Sequence, residues 1–158
     1  MADPASWLLL EYLRDRVLLI RQDDGYYTDL GAGEVVIDDD LKDDTGDKPV
    51  TIIDVSTISP TTQSPGQTHS DIRATIEFAV PRGMDAITNP KRLLHRARAD
   101  LVRCIKSAPK RALPDFLRAE VEIGDARLFA DVDNAGNAFV IAQVDVRARL
   151  TELASPTP

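Results

Sequence analysis

The residue types that most enzymes and metal centres depend on are scarce in this 158-residue sequence, which has one cysteine and two histidines. A single cysteine permits no intrachain disulfide and no cysteine-rich metal site. Cys104 falls in a predicted amphipathic helix, and a nucleophilic role would need a base, for which only His69 and His95 are available. We therefore predict that Cys104 is a small core residue in a protein of a reducing compartment, and that His95 is a surface or edge-packed side chain.

Long hydrophobic runs and a net basic charge are missing as well. The apolar run 7–10 is interrupted by Glu11 and Arg14, so it is too short to cross a bilayer. The net charge is -7, whereas general binding to a nucleic-acid backbone needs a basic face. The start, Met1-Ala-Asp-Pro, has no basic signal-peptide region. We expect a soluble protein made in the cytoplasm, with no membrane partner and no specific nucleic acid binding.

Three short motifs look like ligand sites but lack the residues that hold a ligand. Gly31-Ala32-Gly33 has neither a third glycine nor a following helix to bind phosphate. Asp131-x-Asp133-x-x-Gly136 opens like a calcium loop, but its twelfth position is Ala142 instead of glutamate. The acidic segment 38–47 could gather a divalent cation, although a solvated loop is the commoner outcome. We predict no catalytic, cofactor-binding or metal residues and no enzyme activity; a metal-dependent enzyme using segment 38–47 is the alternative.

Two helices are predicted. Residues 4–22 carry apolar side chains at helical spacing (Leu9, Leu13, Val17, Ile20), and Gly25 is placed to cap the helix end. Further apolar residues on other faces, such as Trp7, Leu10 and Leu18, widen the stripe. This helix is therefore either a core helix or one whose stripe partly meets another subunit. The second helix runs over residues 89–108.

Five strands are predicted, at residues 35–37, 50–58, 70–80, 118–132 and 138–150. Strict alternation over 70–80 predicts one buried and one wet face. Segment 59–69 has Pro60, Pro65 and Gly66 but no large apolar residue, so we predict a long flexible hairpin arm. The turn 133–137 closes a second hairpin. This order predicts one α+β domain, 1–158, with a mainly antiparallel sheet of about five strands, two main helices packed on one face, and a frayed tail at 154–158.

Opposite charges are concentrated in separate regions of the chain. Residues 23–47 carry ten carboxylates against Lys42, and residues 91–111 carry eight bases against Asp100. The acidic surface of one copy can therefore pair with the basic surface of the next, and such a head-to-tail contact closes into a ring when the rotation allows. Exposed ion pairs contribute only about 0–1 kcal/mol each, so they would set orientation while apolar contact supplies affinity. The alternative is that both regions are solvated faces.

The candidate interface residues follow from this charge distribution and from the arm. They are Asp38, Asp39 and Asp40 in the acidic loop, Arg92, Arg96 and Arg103 on the basic helix, and Gln63 and Gln67 in the arm.

The layout resembles the tail terminator proteins of long-tailed bacteriophages over roughly residues 5–150. The similar features are the leading helix, the motif Gly25-Tyr-Tyr-Thr-Asp-Leu-Gly31 before a short strand, the polar loop, the long-armed hairpin, the single helix 89–108, and a closing hairpin that ends at Arg147-Ala-Arg-Leu. The resemblance implies a hexameric ring that caps the tail tube, stops its polymerisation and offers a surface to the head-tail connector. It brings no catalytic residue.

The partners implied by the resemblance are copies of the chain itself, the tail tube protein and a head-tail connector or neck protein. The implied location is the head-proximal end of the virion tail, after assembly in the host cytoplasm. The sequence is also compatible with another phage neck subunit, which shares the small α+β architecture, and with a free-standing regulatory binding module.

Overall fold

The computed structural model describes residues 3–37, 48–64, 66–81, 90–107, 113–132 and 138–153. These residues form two α-helices, two short 3-10 turns and five strands. In chain order they are α1 (Ala5–Val17), the 3-10 turns Gln22–Asp24 and Leu30–Ala32, β1 (Glu34–Ile37), β2 (Val50–Ser64), β3 (Gln67–Pro81), α2 (Pro90–Lys106), β4 (Glu122–Val132) and β5 (Ala138–Leu153). The expected α+β class, with five strands and two main helices, is confirmed.

The five strands form one mixed sheet in the order β1-β2-β3-β5-β4. β1 runs parallel to β2, from Glu34 opposite Val50 to Ile37 opposite Ile53. The other three pairings are antiparallel. The sequence could not indicate the direction of β1, because a four-residue strand has the same side-chain alternation whichever way it is paired.

One hydrophobic cluster joins the helices to the sheet. The buried face predicted for β3 is confirmed, since every second side chain is buried and is paired with a buried residue of β5: Ile72 with Ala148, Ala74 with Val146, Ile76 with Val144, Phe78 with Ala142 and Val80 with Val140. The face predicted to be wet is only partly so, because Arg73 is exposed but Ala79 is buried. Leu9 and Leu13 of α1 and Leu93 and Leu101 of α2 belong to the same cluster. α1 contacts β1 and β2, α2 contacts β4 and β5, and the two helices touch each other.

α1 ends at Val17, earlier than the predicted end at residue 22. Its last turn tightens, because the Leu19 amide donates to the Arg16 carbonyl and the Ile20 amide to the Val17 carbonyl. Ile20 remains fully buried, so the apolar spacing continues past the helix and misled the prediction. Gly25 has the expected left-handed conformation, with φ 86°, but it caps the turn Gln22–Asp24 instead of α1.

The prediction of a flexible arm at residues 59–69 is wrong, because β2 and β3 continue through this segment as paired strands. β2 and β3 stay paired through it, with Ser59 opposite Asp71 and Ser64 opposite Gln67. β5 pairs with β3 as far as Leu153, which adds a third strand to this region. Pro60 is tolerated because β1 ends opposite Ile53, which leaves this part of β2 at the sheet edge, and because a register shift follows Pro60.

The closing hairpin is confirmed in its strands, with Val132 opposite Ala138. β4 begins at Glu122 instead of residue 118, because Leu117 makes only an isolated bridge to Leu150. A bulge lies between Ile123 and Ala126, where the chain has Gly124. The turn 133–137 and the tail 154–158 lie outside the described residues. The turn includes Asp133 and Gly136 of the motif that opens like a calcium loop.

Candidate assembly surfaces

Asp100 fastens the motif between Gly25 and Gly31 to α2. Its carboxylate is fully buried and accepts hydrogen bonds from the Tyr27 amide at 2.9 Å, the Thr28 amide at 2.9 Å and the Thr28 hydroxyl at 2.7 Å. A buried carboxylate is stable only when its lone pairs are satisfied, and these three donors supply that condition. The acid that interrupts the basic helix therefore holds a loop of its own chain.

Arg103 secures the other end of the same motif. Its guanidinium donates to the Gly25 carbonyl and lies 4.9 Å from the centre of the Tyr26 ring, a cation–π contact. The Gln22 side chain also donates to the Tyr27 carbonyl, at 3.1 Å. Tyr27 itself is 61% exposed, so the loop presents an aromatic ring to solvent from a fixed backbone.

Gly31 is required for close packing of backbone against backbone. A Cβ at this position would lie 2.5 Å from the Val17 carbonyl oxygen and 2.8 Å from those of Leu18 and Ile20. The Gly31 amide donates to the Ile20 carbonyl at 2.8 Å. The first glycine of the GxG motif thus lets the chain pass the end of α1, a structural role.

Cys104 is a core residue, as predicted. Its side chain is fully buried, and its thiol donates to the Leu101 carbonyl at 3.2 Å. Burial raises the pKa of the Cys104 thiol to about 12. The reactive thiolate is therefore scarce at neutral pH, and the thiol is a poor nucleophile in the folded protein.

The solvent side of α2 is basic along two separate lines. Arg92, Arg96 and Arg103 follow one another at i, i+4 and i+11, which places them within about 40° around the helix axis. Arg92 and Arg103 are exposed and Arg96 is half-buried. The first line thus contains all three predicted interface residues of α2, but Arg103 is also bonded within the chain.

The second line borders a groove of about 890 Å³ between α2 and the chain that leads into β4. Arg98, Val102 and Lys106 contribute from the helix, and Arg118 contributes from the facing segment. Within the described part of the chain, the side chains of Arg98, Lys106 and Arg118 make no ion pair or hydrogen bond. None of these cations was among the interface residues expected from the sequence.

The sheet face opposite the hydrophobic cluster carries paired charges. Arg127 donates to Asp145 at 2.6 Å and Arg147 to Asp71 at 2.6 Å. The hydrogen bond from Arg147 holds the pKa of the Asp71 carboxyl below its usual range, and the same bond raises the pKa of Arg147. A cavity of about 520 Å³ on this face is lined by Arg127, Asp145 and Arg147. Its charges are already matched, in contrast to the groove.

Large apolar side chains are exposed at both ends of α1. Trp7 is 38% exposed and bonds to Glu11, while Leu18 and Leu19 are 40% and 42% exposed. Leu10 is buried with the other core residues of the helix. Part of the wide apolar stripe therefore lies in the core, and part is available for contact.

Of the other predicted interface residues, the structure describes Gln63 and Gln67. Asp38, Asp39 and Asp40 lie outside the described residues. Gln63 is in β2, opposite Thr68 of β3, and Gln67 is exposed at the start of β3. The described acids Asp23 and Asp24 are exposed just before Gly25, which Arg103 contacts, so this part of the acidic region lies beside the basic helix.

The described residues form neither a metal centre nor a membrane-spanning helix. No group of three or more His, Cys, Asp or Glu side chains in these ranges could hold a metal ion. Within the same ranges, no helix has both the length and the apolar character needed to cross a bilayer.

Comparison with protein-family models and with curated proteins finds no match to this sequence.

Proposed function

We propose that this chain is a structural phage protein that forms a ring, caps the tail tube, stops its polymerisation and provides the head-tail joining surface. It acts by docking and is not an enzyme. The observation that carries the proposal is the surface of α2, where Arg92, Arg96, Arg98 and Lys106 have no ion pair in the described part of a chain whose net charge is -7. Unmatched charges of one sign on one helix fit a partner surface of the opposite sign.

The finer architecture belongs to the same proposal. We infer that both helices cover one face of the sheet, since their buried side chains join the same cluster and α1 and α2 contact neighbouring strands. The opposite face and the arm formed by the ends of β2, β3 and β5 are then available to other subunits. Because the arm is already paired, docking it does not require the ordering of a free loop.

Exposed apolar residues supply the contact area that charges alone do not. Trp7, Leu18, Tyr27 and Ile58 are between 38% and 61% exposed. A few anchors, enriched in Trp, Tyr and Arg, carry most of the free energy of binding at protein interfaces, while exposed ion pairs contribute about 0–1 kcal/mol each.

The test is a capping assay with the tail tube protein of the same phage. Added during tube growth, the protein should shorten the tubes and appear as rings at tube ends in negative-stain electron microscopy. Tyr27→Ala and Ile58→Lys should each weaken capping, whereas Cys104→Ala, a change inside the core, serves as a control for general damage. Tubes that grow to normal length without end rings would refute the proposal, and binding to the portal-side adaptor instead would identify another neck subunit.

A further inference from the structure

We propose that the groove beside α2 binds the acidic segment 38–47 of a second copy of this chain, so that each subunit inserts its segment into the next. The inference deepens the self-association proposed above and rests on it. It identifies a docking site that joins Arg98 and Lys106 of the basic region to Arg118, which lies outside that region in the sequence.

The groove combines an apolar floor with a basic rim. Val102, Leu113 and Ile123 are half-buried in it, and Arg98, Lys106 and Arg118 are exposed around it. The three cations have no ion pair within the described ranges, so binding an incoming anion breaks no ion pair among these residues.

Two carboxylates, Glu120 and Glu122, also line the groove. Glu122 lies opposite Arg147 of β5 in the strand register, and Arg147 belongs to the opposite face of the sheet. With three cations against these two carboxylates, the lining of the groove has a net positive charge.

Segment 38–47 has the matching composition. Its sequence is Asp-Asp-Asp-Leu-Lys-Asp-Asp-Thr-Gly-Asp, with six aspartates against one lysine. Leu41 is its only apolar residue and has carboxylates on both sides. An apolar side chain flanked by anions fits an apolar floor flanked by cations, since burial of the leucine supplies affinity and the charges fix its position.

The segment cannot fill the groove of its own molecule. Both of its ends are fixed at β1 and β2, on the far side of the sheet from β4. β4 lies three strand spacings from β2 and four from β1, so at about 4.8 Å per spacing the midpoint between the two ends of the segment is roughly 17 Å from β4. The ends lie about 16 Å apart along the strands, because Ile37 pairs with Ile53. At about 3.4 Å per residue, the fully stretched segment reaches about 17 Å sideways, which only equals the straight-line distance to β4. α1, which contacts β1, β2 and α2, stands across that line, so the path around it over the helix face is longer than the reach of the segment.

The position of the two surfaces determines the kind of assembly. The strands that flank the segment, β1 and β2, are at the opposite side of the sheet from β4 and the groove, so one copy's segment would meet the next copy's groove head to tail. A contact of this heterologous type produces a ring when its rotation closes and a filament when it does not.

The binding test uses the full-length chain with the six aspartates of segment 38–47 changed to asparagine, which leaves its groove open. The probe is a fluorescein-labelled peptide of residues 37–48, measured by fluorescence anisotropy. We expect saturable binding that weakens as salt is added. Reversal of the groove cations (Arg98→Glu, Lys106→Glu, Arg118→Glu) should weaken binding by about tenfold or more, because three attractions become repulsions.

Matched controls separate the groove from general charge. The triple change Arg14→Glu, Arg21→Glu, Arg73→Glu alters the net charge equally outside the groove and should change the affinity less than about twofold. A peptide with Leu41→Ser should bind more weakly although its charge is the same. Equal loss in both triple variants, or the absence of peptide binding, would overturn the proposal.

The outcome is separate from that of the capping assay. Tube capping by a protein whose groove ignores the peptide would refute only the groove, and peptide binding by a protein that does not cap tubes would refute only the tail function.

Discussion

The charged side chains on the two sides of α2 differ in whether they are bonded within the chain. On the side facing the motif between Gly25 and Gly31, Asp100 accepts three hydrogen bonds from Tyr27 and Thr28, and Arg103 bonds the Gly25 carbonyl. On the side facing the groove, Arg98 and Lys106 are exposed and have no ion pair in the ranges that the structure describes. The same helix thus uses charge to hold its own fold on one side and to offer contact on the other.

This difference gives the two sides different expected responses to substitution. Removing a buried, fully bonded charge leaves donors without partners and lowers the free energy of unfolding. Removing an exposed, unpaired charge leaves the fold nearly unchanged, and its effect should be seen in assembly.

The largest effect is expected at Asp100. Asp100→Ala should lower the free energy of unfolding by about 4 kcal/mol, because it leaves two buried amides and one hydroxyl without an acceptor. Urea unfolding followed by circular dichroism measures this. Arg98→Ala on the other side of α2 is the control and should change stability by less than about 0.5 kcal/mol; similar losses in both variants would remove the distinction between the two sides.

A somewhat smaller loss is expected at Gly31. Gly31→Ala places a methyl group 2.5 Å from the Val17 carbonyl oxygen, so the motif and the end of α1 must separate. Forced repacking of this kind costs about 3 kcal/mol. Gly66→Ala is the control for an ordinary glycine effect, since nothing lies within 4 Å of its Cβ and only its φ of 81° opposes the change. Equal melting temperatures for the two variants would contradict the close packing at Gly31.

Arg103 and Arg96 belong to the same line of arginines on α2, but we expect them to differ in their effect on stability. Arg103→Ala should cost about 1 kcal/mol through the lost bond to Gly25 and the lost contact with Tyr26. Arg96→Ala should cost less than about 0.5 kcal/mol. Both values come from the same urea titrations. An Arg96 effect as large as that of Arg103 would mean that the whole line serves the fold.

The smallest effect concerns pH. The folded-state pKa of Asp71 is lowered, chiefly by the hydrogen bond from Arg147, so its contribution to stability is complete above the unfolded pKa and is lost as the pH falls through the folded one. Asp71→Asn should therefore flatten the decrease in stability on acidification, and Arg147→Ala should flatten it in the same way. Unfolding titrations at several pH values below 7 measure how the free energy of unfolding changes with pH. If this slope is the same in the variants as in the unchanged protein, the Asp71–Arg147 pair has no role in it.

Sequence patterns predicted the elements better than their ends. Strict alternation identified β3, and the apolar stripe identified α2, because both periods continue through the element. The end of α1 was missed because Ile20 keeps the helical spacing although its backbone bonds to Gly31. The arm was missed because its strands are stabilised by β5, a contact between residues far apart in sequence.

The surfaces were predictable only in part. Asp100 did carry a signal in the sequence, since this lone acid of a basic helix falls on the same side as Leu93, Ala97 and Cys104. The groove carried none, because Arg118 meets α2 only through the tertiary fold. Net charge by region indicated that α2 is basic, but it could not separate Arg103, which is bonded within the chain, from Arg98, which is not.

The most direct test of the assembly is the molar mass of mixed variants, measured by light scattering over a concentration series. The unchanged protein should form multi-subunit rings. The groove variant (Arg98→Glu, Lys106→Glu, Arg118→Glu) and the variant with the six aspartates of 38–47 changed to asparagine should each remain monomeric. Mixed together, they retain one working segment and one working groove, so we predict a mass of two subunits and no larger species. A mixture that stays monomeric, or single variants that still form rings, would contradict the account.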